Sequence, residues 1–149
     1  MRALGAQHAT GAHLGDSFFF ANLTAALLGA GEVSEAALTL QGAFDFVEQS
    51  GERWWLAELY RLTGLVKLTQ AEPDMDGAEA AFLTAIETAR QQEARLHELR
   101  AATELAKLGG RNVTSRDRRM LLEPILDVIE GGEERRDVRD ARALLLDLV

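Results

Sequence analysis

Residues able to do chemistry are few in this chain, and their spacing is poor. It has three histidines, His8, His13 and His97, and no cysteine. His97-Glu98 begins as a helical zinc-protease motif does. That motif needs a second histidine four positions after the first, so that both rings reach one metal. Position 101 is Ala101, so the second ligand is missing and His97 reads as a surface or packing residue. Asp74-Met75-Asp76-Gly77 has the look of a calcium loop but lacks the acidic spacing and the closing glutamate. With Pro73 before it, the segment reads as a turn and helix cap. No Ser-His-Asp order suggests a triad, and no phosphate-cradling GxxxxGK[ST] segment occurs. Gly29-Ala30-Gly31 reads as a helix terminator. The expectation is no catalytic residue, no metal site, no cofactor and no enzymatic activity, with the many carboxylates on solvated helix faces.

The elements that carry these residues are helical by composition. The 149 residues fit one domain, and 47% apolar with 27% charged residues is the balance of a chain that buries a core. Alanine and leucine dominate, β-branched residues are few, and only Pro73 and Pro124 interrupt. A net charge of −8 would repel a phosphate backbone, so nucleic acid is not an expected partner. The longest apolar stretch, 18–30, is broken by Asn22 and Thr24 and is shorter than the roughly 20 residues a membrane span needs. No signal-peptide pattern opens the chain, and with no cysteine for a disulfide scaffold a reducing cytoplasm is the expected location.

Periodicity and punctuation predict helices over about 16–28, 34–49, 53–70, 76–93, 96–108, 115–130 and 134–148. Asp16 or Ser17 is the expected cap of the first, and Ser115 of the sixth. Leu38, Ala43, Phe44 and Val47 are the apolar face expected of the second. Pro124 inside the sixth removes one intrahelical bond and predicts a kink. Val138, Ala141, Leu145 and Leu148 share one face of the last.

Helices of similar length with short connections also repeat. Aligning Thr10-Gly11 with Ser50-Gly51 places Phe20, Leu23, Thr24 and Leu27 on Tyr60, Thr63, Gly64 and Lys67. Two residues of further offset give Ala102, Leu105, Ala106 and Gly109. On the following helices, Ala36, Leu40 and Ala43 recur as Ala78, Phe82 and Ala85, and more poorly as Arg118, Leu122 and Ile125. This pattern, a large residue, then Leu and a small residue, then Ala, Phe or Leu and Ala on the next helix, resembles the tetratricopeptide repeat. The resemblance implies an all-α, right-handed α-α superhelix of about three helix pairs plus a C-terminal capping helix. A single domain over 1–149 would divide into a remnant of a preceding repeat at 1–14, pairs at 16–50, 53–93 and 95–130, and the cap at 134–149.

The segments from Ser50-Gly51-Glu52-Arg53-Trp54-Trp55 to Leu62, Leu99-Arg100-Ala101-Ala102-Thr103 and Val138-Arg139-Asp140-Ala141-Arg142-Ala143-Leu144-Leu145 narrow the match. They resemble the C-terminal helical repeats of large bacterial signalling regulators that join an ATPase module to a nucleotide-cyclase or LuxR/winged-helix DNA-binding domain. The chain then reads as a fragment or relative of such a protein. The function implied is a protein–protein interaction or regulatory scaffold. The alternative is a homo-oligomerisation module, and a weaker one is an enzyme fragment that supplies no active residue.

Placing the repeat on the first helices assigns a concave partner-binding groove to Phe18, Ala21, Ala25 and Leu28, then Glu58, Arg61, Leu65 and Leu68, then Arg100, Thr103, Lys107 and Arg111. That groove should be apolar at one end and basic at the other, suited to a protein or peptide offering an apolar side chain and a carboxylate or phosphate. Glu58 could instead neutralise Arg61 or Arg100. Of Trp54 and Trp55, at least one should pack between helix pairs, because adjacent helical residues point about 100° apart. Phe20 belongs with Leu23 and Leu27 in the core. The basic clusters at 116–119 and 135–142 read as ion-paired surface. Leu4, Leu14 and Phe18 or Phe19 would leave an apolar N-terminal end, which predicts a homodimer there.

Overall fold

Glycine and proline punctuate the chain into helices of three to five turns. The computed structural model describes residues 15–109 and 113–148. Within them lie α1 (Asp16–Gly29), α2 (Val33–Ser50), α3 (Leu56–Thr69), α4 (Met75–Gln91), α5 (Arg95–Leu108), α6 (Ser115–Asp127) and α7 (Arg136–Asp147), with no strand. The chain is therefore all-α, as its composition predicts. Gly31 and Gly51 take left-handed φ values of 80° and 72° just past the ends of α1 and α2.

The helix starts differ from expectation. Neither Asp16 nor Ser17 caps α1: both are buried inside its first turn. The cap comes instead from Glu52, in the connection between α2 and α3. Its carboxylate accepts from the Gly15 amide (2.9 Å), the Ser17 amide (3.2 Å) and the Ser17 hydroxyl. An anion at a helix N-terminus is favoured by both the free amides and the macrodipole. Because Glu52 lies more than thirty residues away in sequence, it also ties α1 to the entrance of α3. Glu52→Ala should cost about 0.5–2 kcal/mol, the range for loss of an N-cap, and Glu52→Gln less. Urea unfolding measures both; no loss in either would show that α1 needs no such tether. At α6 the cap is Thr114, not Ser115. Thr114 and Asp117 form a reciprocal capping box. The helix runs on through Pro124, leaving the carbonyl of the exposed Met120 without its amide partner. Asp74 caps α4, accepting from the Gly77 amide (2.9 Å) and from Lys67 Nζ (2.7 Å).

Packing follows a simple rule. Each helix packs on the next in sequence, and α1, α3, α5 and α7 also pack on one another in series. The repeat positions explain this. Thr24 on α1, Gly64 on α3 and Ala106 on α5 are small and buried. At the matching positions of the following helices, α2, α4 and α6 bring the buried Leu40, Phe82 and Leu122, and Ala106 and Leu122 share one core cluster. At Gly64 the fit is tightest: a Cβ there would overlap the Phe82 ring. The core falls into two clusters, one around Leu40, Leu59 and Leu62, the other around Leu99, Leu122 and Val138. Two expectations fail at this level. Leu38 on α2 is 68% exposed, and Leu40 takes the inward place beside Ala43 and Val47. Ala21, expected to face the groove, is buried in the first cluster.

Candidate functional site

Because α1, α3, α5 and α7 pack side by side, residues on their common face meet across helix boundaries. On α5, Arg100, Thr103, Glu104 and Lys107 fall at three- and four-residue spacing and so share one face. Glu58 and Arg61 face them from α3, and Asp137 and Asp140 from α7. Together these eight line an open cleft of about 250 Å³.

An ion ladder runs beneath the cleft. Arg61 grips Glu58 with two prongs, Nη2 to Oε1 at 2.7 Å and Nε to Oε2 at 3.0 Å. Arg100 stands 3.9 Å from the same carboxylate and donates to Asp137 Oδ2 at 3.0 Å. The ladder thus joins α3, α5 and α7 through Arg100. Burial alone would raise the pKa of Glu58. The Arg61 hydrogen bonds and charge, aided by Arg100 and His97, outweigh it and hold the carboxyl below its ordinary value. Burial would likewise lower the pKa of Arg61, and Glu58 more than reverses that. Nearer the rim, Lys107 Nζ lies 3.2 Å from Glu104, and Asp140 lies 3.5 Å from Arg136.

Beside the ladder is an aromatic stack. Trp55 packs on Phe18 (ring centroids 4.9 Å apart) and on His97 (5.0 Å), linking the entrances of α1, α3 and α5. Trp54 is 77% exposed. His97 is a packing residue here: its Nδ1 is buried without a hydrogen-bond partner. Burial, countered in part by Glu58 and Asp137 and reinforced by Arg100 and Arg61, moves the His97 pKa below its ordinary 6.5. The unfolded chain therefore takes up this proton first. The contribution of His97 to stability is full above pH 6.5 and is lost as pH falls through the folded-state pKa. An NMR titration should place its midpoint below 6.5, and Trp55→Ala should move it back up. A midpoint at or above 6.5 in the intact protein would contradict this placement.

Of the groove residues expected from the repeat, the cleft brings together Glu58, Arg61, Arg100, Thr103 and Lys107. Phe18, Ala21, Ala25, Leu28, Leu65 and Leu68 do not line it. Leu28 and Leu65 pack against the first core cluster. Arg111, Leu4, Leu14, His8 and His13 lie outside the described residues. The expected basic end is corrected. Among the described residues, which do not include Arg111, Arg61, Arg100 and Lys107 supply three positive charges, and Glu58, Glu104, Asp137 and Asp140 supply four negative ones. The physical reason is that a cation as enclosed as Arg61 cannot stay unpaired.

Glu104, Asp137 and Asp140 were not among the expected lining residues. Glu104 carried a signal, four residues after Arg100 on the same helix face. Asp137 follows Arg100 by 37 residues, near the repeat interval, but α7 reads as a cap and not as another first helix. No family model, no curated protein and no solved structure matches this chain. Among the described residues, no three His, Asp or Glu side chains stand together as a metal would need. No helix there is long and apolar enough to cross a membrane.

Proposed function

We propose that this chain is a protein-binding module, a tetratricopeptide-like right-handed solenoid whose first helices present a recognition face and which makes and breaks no bond itself. The carrying observation is the convergence of eight polar side chains from α3, α5 and α7 on one open cleft. Ladder and rim charges alike are paired, but only the rim pairs, Lys107 with Glu104 and Asp140 with Arg136, stand open enough to be read by a partner. Lys107 and Asp140 are about half exposed and of opposite sign. A peptide segment carrying both charges, an acid toward Lys107 and a base toward Asp140, matches them. The purely anionic ligand that a basic groove would take does not. On the resemblance of its repeats, the natural partner is a cytoplasmic signalling protein of the ATPase-regulator class, which this module would bias by binding.

A photo-crosslinking residue at position 107, with position 38 as an exposed control on α2, tests this reading. A discrete adduct with another protein at 107 and not at 38 is expected. No adduct at 107, or the same adduct at both positions, would overturn it. An adduct with a second copy of the chain would favour the oligomerisation alternative. For that alternative, Phe18 at the α1 end is 39% exposed, although its ring packs on Phe19 and Trp55.

A further inference from the structure

A second surface lies outside the cleft and shares no lining residue with it. Met120 and Pro124 on α6 and Val128 just past its end recur every four residues and are all exposed, Met120 at 62% and Val128 at 56%. They form an apolar stripe on one helix face. The stripe is one wall of a groove. The other wall is the end of α4 and the start of α5, with Arg90, Arg95 and Glu98. Beyond Val128 the groove continues past Leu96 and Ile129 to Arg135, as adjoining hollows of about 220 and 400 Å³.

The charge of this groove is opposite to that of the chain. Glu98 is buried and accepts from both Arg90 Nε (2.6 Å) and Arg95 Nη1 (3.0 Å). One carboxylate is shared by two guanidinium groups. Both arginines are about half exposed, and each uses one of its five N–H donors on Glu98. With Arg135, three positive charges stand against Glu98 and Glu130 along the groove, an excess of one in a protein of net charge −8. Glu123 and Asp127 sit one helical position before the stripe residues, about 100° around α6, and do not line the groove.

We infer that this groove docks an acidic amphipathic helix of a partner protein, whose apolar side chains lie along Met120, Pro124 and Val128 while its carboxylates meet Arg90, Arg95 and Arg135. In helix-in-groove recognition an amphipathic helix lays its apolar face on apolar side chains such as this stripe, and the arginines opposite select an acidic flank. The surface is separate from the cleft, so it stands whether or not the cleft binds a partner.

The probe is a fluorescein-labelled synthetic helix with leucines at helical spacing and glutamates elsewhere, read by anisotropy against the full chain. A matched peptide with lysines in place of the glutamates is the control. The acidic peptide should bind and weaken with added salt, and the basic one should not. Met120→Asp and Arg135→Glu alter exposed side chains and leave the Arg90–Glu98–Arg95 bridge intact. Each should weaken binding about tenfold, as loss of a central contact or charge does. No binding of the acidic peptide overturns the inference. Equal binding of both peptides, or binding unchanged in both variants, also overturns it. So does concentration-dependent self-association that Met120→Asp abolishes, because the occupant would then be a second copy of this chain.

Discussion

Phe82→Ala should cost about 3–5 kcal/mol of folding stability, the range for removing a fully enclosed aromatic ring. Phe82 has no exposed surface, and its ring closes over Gly64. The contact works in both directions. Gly64→Ala should destabilise by about 1–3 kcal/mol through overpacking, less the roughly 1 kcal/mol that alanine gains over glycine in a helix. The repeat itself supplies a rescue. In the next helix pair the corresponding residues are Ala106 and Leu122, both buried. The double variant Gly64→Ala/Phe82→Leu recreates that pairing and should be less destabilised than the sum of the two single changes. Urea unfolding of the four proteins gives the coupling. Additive losses would mean that Gly64 and Phe82 do not constrain one another.

Glu58→Ala should be the next most damaging change, costing about 3 kcal/mol, because removing one partner of an enclosed ion pair strands the other charge. The side chains of Glu58 and Arg61 are only 8% and 14% exposed. Replacing both together with methionine should cost less than the single Glu58→Ala change, since a well-packed apolar pair need not be worse than a buried ionic one. The pH dependence gives a second readout. The folded-state pKa of Glu58 is depressed below its ordinary 4.5. Its stabilising contribution is therefore fully present above pH 4.5 and is lost as pH falls through the depressed value. The gap in stability between wild type and Glu58→Gln should close in that acid range. A gap that stays constant to low pH would contradict an ionised Glu58 at the centre of the ladder.

The division into helices was legible because glycine, proline and short polar turns separate them, although the start of α3 at Leu56 and the end of α6 at Asp127 each fall three residues inside the expected bounds. The internal alignment put Thr24, Gly64 and Ala106 at one repeat position and Leu40, Phe82 and Leu122 at another; that Phe82 closes over Gly64 came only with the structure. The cap by Glu52 was not legible. A carboxylate reaching an N-terminus from a distant connection leaves no local pattern, whereas Asp16 and Ser17 looked like ordinary local caps. The orientation of α2 misled for a similar reason. Leu38 and Leu40 are both apolar and two positions apart, and only the neighbours packed around them decide which turns inward.

At the cleft, five of the lining residues could be placed from repeat position alone, but their charge state could not. The sequence offered two readings, a basic end or one neutralised by Glu58; Glu58 closes on Arg61, and Asp137, which no repeat position pointed to, pairs with Arg100 from α7. Ala21 shows the limit in the other direction, since a residue small enough to line a groove is also small enough to be covered by the next helix.

Titration calorimetry with the partner captured at position 107 tests recognition by the cleft most directly. The comparison is between wild type and a Lys107→Ala/Asp140→Ala variant, which leaves Glu58, Arg61, Arg100 and the Asp137 contact in place. Circular dichroism should show the same helix content and melting for both. The account predicts that the variant binds at least about tenfold more weakly, the equivalent of roughly 1.4 kcal/mol. Undiminished affinity in a folded variant would contradict it, and recognition would then lie on another face of the helices.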